Sequence, residues 1–183
     1  VDAGRVLVEA ARVEGALKGR KWSAGALLSH YALDERPWCE LDTAQRHLER
    51  DFHRFELDVQ QHESLIRLVA QARQRYAAVS DRLADLFTRA LAADRFELPG
   101  VLLQADVYQE VVDPAAKSGP VAYVLVDALR FEMARELSAI LEQDWKPDLT
   151  PALATPPTVT EIGMAALLPG AERGLMVIPA EGN

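Results

Sequence analysis

Cysteine is almost absent from this chain of 183 residues, where Cys39 stands alone. A single thiol makes no internal disulfide and no multi-cysteine zinc site, and its isolation fits a reducing compartment. Long apolar runs are missing as well. No stretch approaches the roughly 20 residues that a membrane helix needs, and the N-terminus lacks the layout of a signal peptide. Positive charge is in deficit, with 20 Lys and Arg against 28 Asp and Glu, a net −8 and a pI near 5.0. Such a balance repels phosphate backbones, which argues against a generic basic nucleic-acid platform but leaves room for a local basic patch. The expectation is an acidic, soluble, cytoplasmic protein with no membrane partner.

Proline is scarce in one half only. Pro37 is alone before Leu98, and nine of the ten prolines follow that point. Ala, Leu, Arg, Gln and Glu dominate the first part, and these are helix formers. The second part holds two short β-rich runs, Val121–Val126 and Leu175–Ile178. The fold class expected is therefore α + α/β: a helical region over 1–98, a linker over 99–120, and the first β-α-β units of a parallel sheet over 121–183. At 20.2 kDa the chain is large enough to bury a core without covalent staples.

The helical half is strongly periodic. Leu65, Val69, Ala72, Tyr76, Val79, Leu83, Leu86 and Ala90 alternate steps of four and three, a heptad seam. Leu41, Ala44, Leu48, Phe52, Phe55 and Val59 repeat the pattern upstream, and Asp42 with Gln45 has capping-box spacing. The polar stretch 58–64 contains no Gly or Pro, so one long rod and a hairpin both remain open, with compactness favouring the hairpin. Two shorter helices are expected around Ala3–Leu17 and Ser23–Leu33. Core packing is the natural role of these seams. His30, His47, His53 and His62 form no His-Glu-x-x-His pattern and read as solvated or core histidines. Trp22, Trp38 and Phe52 read as pins between helices.

Chemistry is expected in the second half. Val121–Val126 reads as a strand buried on both faces, as in a parallel sheet, and it stops at Asp127. Helical periodicity follows through Leu129, Met133, Leu137 and Ile140 or Leu141. Ligands of open α/β sheets bind beyond the carboxyl ends of strands, so Asp127 is placed either for a metal or phosphoryl group or simply to cap the helix. A second helix should begin near Thr158–Glu161, whose spacing suits a capping box. A helix start also suits a phosphate, and a metal-activated threonine there can attack phosphorus. Position alone leaves Thr158 and Thr160 as equal candidates.

Val124-Leu-Val-Asp-Ala-Leu-Arg130 together with Pro157-Thr-Val-Thr-Glu-Ile-Gly-Met-Ala-Ala-Leu-Leu-Pro-Gly170 resembles the PglZ domain of BREX and phage-growth-limitation defence systems. Phe131-Glu-Met-Ala-Arg-Glu-Leu137 and Leu149-Thr-Pro-Ala-Leu-Ala-Thr155 extend the likeness, and Trp38-Cys-Glu-Leu-Asp-Thr-Ala-Gln-Arg46 shares it more faintly. The resemblance implies an alkaline-phosphatase-like parallel sheet and a metal-dependent phosphodiesterase or phosphatase, a hydrolase with two divalent metals, usually zinc. It assigns a metal-ligand role to Asp127 and the roles of nucleophile and metal ligand to Thr160, with Thr158 as neighbour and cap. Thr160 would attack in line to give a phospho-threonine. The remaining ligands, Asp and His residues well downstream in that superfamily, have no counterpart: no histidine follows His62, and Asp144 and Asp148 match nothing in the set. The resemblance therefore implies an N-terminal fragment, inactive as given, with no or weak metal binding. Implied partners are other defence proteins, such as the methyltransferase and ATPase, with nucleic acid reached indirectly. The alternative is a non-catalytic assembly module docking such proteins.

Overall fold

The structure, a computed structural model, describes residues 2–55 and 63–174. The chain divides into two units, Val1–Pro99 with Phe131–Leu137, and Gly100–Arg130 with Ser138–Asn183.

The first unit is helical. Helix α1 spans Asp2–Leu17 and buries Ala3, Val6, Ala10, Val13 and Leu17, a stripe with alternating spacings of three and four. Helix α2 spans Ala24–Ala32, and its N-cap Ser23 accepts the Ala26 N–H at 3.2 Å, a cap worth about 1 kcal/mol. Trp38 and Cys39 then donate to the carbonyls of His30 and Tyr31 at 2.9 and 3.1 Å, folding the chain back. Helices α3, Glu40–Phe55, and α4, Glu63–Ala93, follow. Ala10, Ala44 and Ala72 have no exposed surface, so helix backbones can approach closely around Leu27, Trp38, Leu41, Leu48, Val69 and Val79.

Side-chain pairs fix the direction of α3 against α4. Tyr76 donates to Asp42 and Arg73 to Glu49, so advancing along α3 means retreating along α4. The two are separate, antiparallel helices, not one rod; residues 56–62, where the sequence left the choice open, lie outside the described residues. From Val69 onward the α4 seam meets the core as expected, while Leu65 at its start is exposed. Val69, Ala72 and Val79 are buried, and Tyr76, Leu83, Leu86 and Ala90 pack partly buried against them. Asp42 departs from its expected capping role. Its two oxygens accept the Tyr31 and Tyr76 hydroxyls at 2.8 and 2.7 Å, because α3 begins at Glu40 and turns this carboxylate toward α2 and α4.

Arg12 and Glu9 close the far side of this bundle. Glu9, 5% exposed, receives Arg12 at 2.6 Å and Arg36 at 3.2 Å. Arg12 also donates to the carbonyls of Arg36 and Pro37, the latter shared with the Glu40 N–H at the start of α3. No helix among the described residues is long and apolar enough to cross a membrane.

Helix α6, Phe131–Leu141, corrects another expectation. Its carboxylates turn inward: Glu132 is 1% exposed, and Glu136 receives Arg46 and, at 2.7 Å, His47. Burial and the nearby Arg50, Arg46 and Arg5 hold the His47 pKa below its ordinary value. Neutral imidazole can make this contact by donating to Glu136. The anticipated apolar stripe points elsewhere, leaving Leu129, Leu137, Ile140 and Leu141 exposed. Periodicity identified the apolar face but not the charged neighbours that draw the adjacent Glu132–Glu136 side inward.

In the second unit β1, Leu102–Leu103, pairs in parallel with β2, Ala152–Leu153, in the register Leu102↔Ala152 and Leu103↔Leu153. Residues 99–120 also hold a 3-10 turn at Gln104–Asp106, a π turn at Tyr108–Val112 and α5 at Asp113–Ser118. After β2 come α7, Thr160–Ala166, and a 3-10 turn at Ala171–Arg173. The run Val121–Val126 forms no ladder, and Val121, Val124 and Val126 are exposed, against the expectation of a doubly buried strand. A buried central strand needs a neighbour on each edge, and no described segment pairs with this one. Leu175–Ile178 falls outside the described residues.

Candidate functional site

Asp127 and Thr160 meet in the second unit. Asp127 occupies the turn that closes the Val121–Val126 run, and Ala128 behind it has φ 54°, a left-handed conformation uncommon for a residue with a Cβ. Thr160 is the first residue of α7, and its hydroxyl donates to Asp127 Oδ1 at 3.3 Å. That is longer than the usual span of roughly 2.5–3.0 Å for O–H···O. The hydroxyl is therefore oriented without being tightly held, and both residues are exposed to solvent.

Neither expected cap operates. Helix α6 starts at Phe131 with Arg130 in the N-cap position, too far along for Asp127 to cap it. Helix α7 has Val159 at its N-cap with no side-chain hydrogen bond, and the Val159 N–H closes a turn onto the Pro157 carbonyl at 2.8 Å. That turn delays the helix, so Thr158 stays exposed outside it.

Two residues unremarked in the sequence secure α7. Gln104 donates through Nε2 to the Gly163 carbonyl at 3.1 Å and accepts the Thr155 N–H on Oε1 at 2.9 Å. Thr155 follows β2 closely and Gly163 lies inside α7, so one amide ties the approach to the helix. A Cβ on Gly163 would stand 3.4 Å from Gln104 Nε2, an ordinary van der Waals contact. Tyr123, whose hydroxyl pKa is raised by burial, donates to the Leu167 carbonyl at 3.0 Å and leans on Tyr108. In the otherwise apolar Val121–Val126 run Tyr123 is the one side chain with a polar tip; no signal pointed to Gln104.

The fit to a metal is incomplete. Asp127 and Thr160 offer hard oxygen donors, but zinc ordinarily takes four ligands. Among the described residues no cluster of three or more His, Cys, Asp and Glu could hold an ion. These side chains do not by themselves make a metal centre.

Residues 107–178 match the family of BREX system PglZ alkaline phosphatase-like domains. This stretch is similar to the PglZ family. Among curated proteins, the alkaline phosphatase-like protein BrxZ of Escherichia coli O9:H4 (strain HS) is 38% identical over 79 residues. That alignment covers 40% of this chain and 9% of BrxZ, so the chain spans only a small part of that relative. No solved structure matches significantly. The PglZ match encloses Asp127, Tyr123 and all of α7, while Gln104 precedes it. The kinship is thus to an alkaline phosphatase-like component of a BREX system.

Proposed function

We propose that the PglZ segment contributes the nucleophile side of a phosphodiesterase or phosphatase centre in a BREX component, with Thr160 as nucleophile and Asp127 as its carboxylate partner. The hydrogen bond joining these residues across 33 positions of sequence carries the reading. In the proposed step Thr160 Oγ1 forms a bond to phosphorus as the bond to the leaving oxygen breaks, and the hydroxyl proton passes to Asp127. Water later cleaves the phospho-threonine. Solvent exposure of both side chains leaves them open to a substrate. Asp127 and Thr160 are also proposed as two ligands of a divalent metal, zinc by analogy with the superfamily, in a site that requires further donors. Other defence proteins are the proposed partners.

The test compares wild type with Thr160→Ala and Asp127→Asn in a protein carrying the whole domain, with zinc, manganese or magnesium and a chromogenic phosphodiester. Loss of the nucleophile should lower kcat by at least about a thousandfold with little change in melting temperature, since Thr160 is exposed. Unchanged turnover in Thr160→Ala would remove the nucleophile assignment.

The exposed apolar side of α6 and Trp145, 72% exposed, favour a second reading, an assembly module that docks other defence proteins. Absence of turnover in wild type with every metal would turn the proposal to that reading.

A further inference from the structure

The acid excess of the chain is unevenly shared. Residues 1–99 hold 15 Lys and Arg against 16 Asp and Glu, whereas residues 100–183 hold 5 against 12. Within the nearly neutral helical part, the α1–α2 connection reads Lys18-Gly19-Arg20-Lys21-Trp22, and its three cations are all exposed. Gly19 turns the chain there with φ 69°. Among the described residues neither Arg20 nor Lys21 has a carboxylate partner, and Lys18 stands 3.9 Å from Glu14, which also receives Arg75. The bundle does not neutralise this loop.

Trp22 completes it. Its ring packs edge-on against His30 and Trp38, with centroids 5.2 and 5.5 Å away, and Trp38 is 3% exposed. His30 stacks on Trp38 at 5.0 Å and is fixed by Asp34 at 2.5 Å. The Arg20 guanidinium lies 5.9 Å from the Trp22 ring centroid. A half-buried indole is thus anchored from behind, with the Arg20 guanidinium over its ring and Lys18 and Lys21 exposed in the same loop.

We propose that the Lys18–Trp22 loop is a contact site for single-stranded nucleic acid, with Lys18, Arg20 and Lys21 taking phosphates and Trp22 stacking on a base. The loop shares no residue with the Asp127–Thr160 pair. An acidic peptide would engage the cations and leave the indole unused, and a membrane interface favours an indole free to insert, whereas this one is half-buried and held edge-on by His30 and Trp38. A single strand offers both the repeating charge and the π faces that this combination meets.

Three neutralised phosphates predict a slope of about −2 in log affinity against log salt, or about a 20-fold loss between roughly 50 and 200 mM salt. The experiment titrates a fluorescein-labelled oligothymidylate with this chain across that range. It repeats the titration with the triple variant Lys18→Gln, Arg20→Gln, Lys21→Gln and with Trp22→Leu, checking each fold by circular dichroism. The expected result is the stated slope in wild type, a nearly flat salt dependence with about 20-fold weaker binding at low salt in the triple variant, and at least a threefold loss in Trp22→Leu. If Trp22→Leu misfolds, quenching of indole fluorescence by the strand in wild type replaces it. Undiminished binding in the triple variant would overturn the proposal. So would absence of binding at low salt, or equal or tighter binding of polyglutamate or of phosphatidylserine vesicles.

Discussion

Replacing Gln104 by alanine should loosen α7 without unfolding the helical unit. The side chain makes two neutral hydrogen bonds, to the Gly163 carbonyl at 3.1 Å and from the Thr155 N–H at 2.9 Å. Each is worth on the order of 1 kcal/mol net in a partly buried setting, so the pair contributes about 2 kcal/mol. If α7 opens locally, that energy appears as hydrogen exchange about 30-fold faster in the helix, since each 1.4 kcal/mol is roughly a factor of ten. Gln104→Glu separates the two halves of the effect. It keeps an acceptor for Thr155 and removes the donor to Gly163, so acceleration should fall to about fivefold. Exchange in α1 and α4, measured in the same peptides by mass spectrometry, should not change. The reasoning fails if Gln104→Ala leaves α7 protection intact, or if the glutamate variant exchanges as fast as the alanine variant.

Two further outcomes follow from the helical unit. Asp42→Ala removes the carboxylate that accepts the Tyr31 and Tyr76 hydroxyls and should cost about 3 kcal/mol in urea denaturation; a loss below about 1 kcal/mol would contradict the geometry. Burial pushes the Cys39 thiol from 9.0 up to about 11, opposed by Arg135 and aided by Asp42, Glu40 and Glu132. Between those values the unfolded chain has released the proton that the native chain keeps, so stability should fall as pH rises from 9.0 toward 11. Tyr31, raised far above 10.0 chiefly by burial and then by Asp42, adds to the fall with the same sign. Denaturation midpoints that rise across this window would refute the assignment, and Cys39→Ala should flatten part of the slope.

The helical elements were legible because their information is local. A stripe such as Val6, Ala10, Val13 and Leu17 dictates both a helix and its inward face when the neighbours are also apolar. Helix α6 shows where that inference ends. Its apolar stripe is as regular, yet Arg46 and His47 donate to Glu136 and turn the adjacent side inward. The Val121–Val126 run illustrates the same boundary for strands. Composition marks it as suited to a sheet, while pairing depends on edges supplied by other segments, and the strands that form are the shorter β1 and β2. At the candidate site the residues alone left Thr158 and Thr160 open, and the resemblance chose Thr160, whose hydroxyl lies 3.3 Å from Asp127 Oδ1. The capping roles given to Asp127 and Thr158 were misplaced because helix starts shift by a few residues when a turn such as Pro157–Val159 intervenes. Gln104 was invisible because its partners are a main-chain carbonyl and amide, 59 and 51 residues away, which leave no mark in side-chain chemistry.

The carboxylate of Asp42 spends one oxygen on α2 and the other on α4, so three helices share a single acceptor. Such an arrangement constrains how related sequences can drift. Asparagine at position 42 could satisfy one phenol through its carbonyl but would present an amide to the other. Phenylalanine at 31 or 76 alone would leave a carboxylate oxygen facing an apolar ring. The route out is concerted: an aliphatic residue at 42 arriving with phenylalanine at both 31 and 76. Among relatives that keep the bundle, these three positions should therefore be inherited as a set, polar together or apolar together, and mixed combinations should be rare.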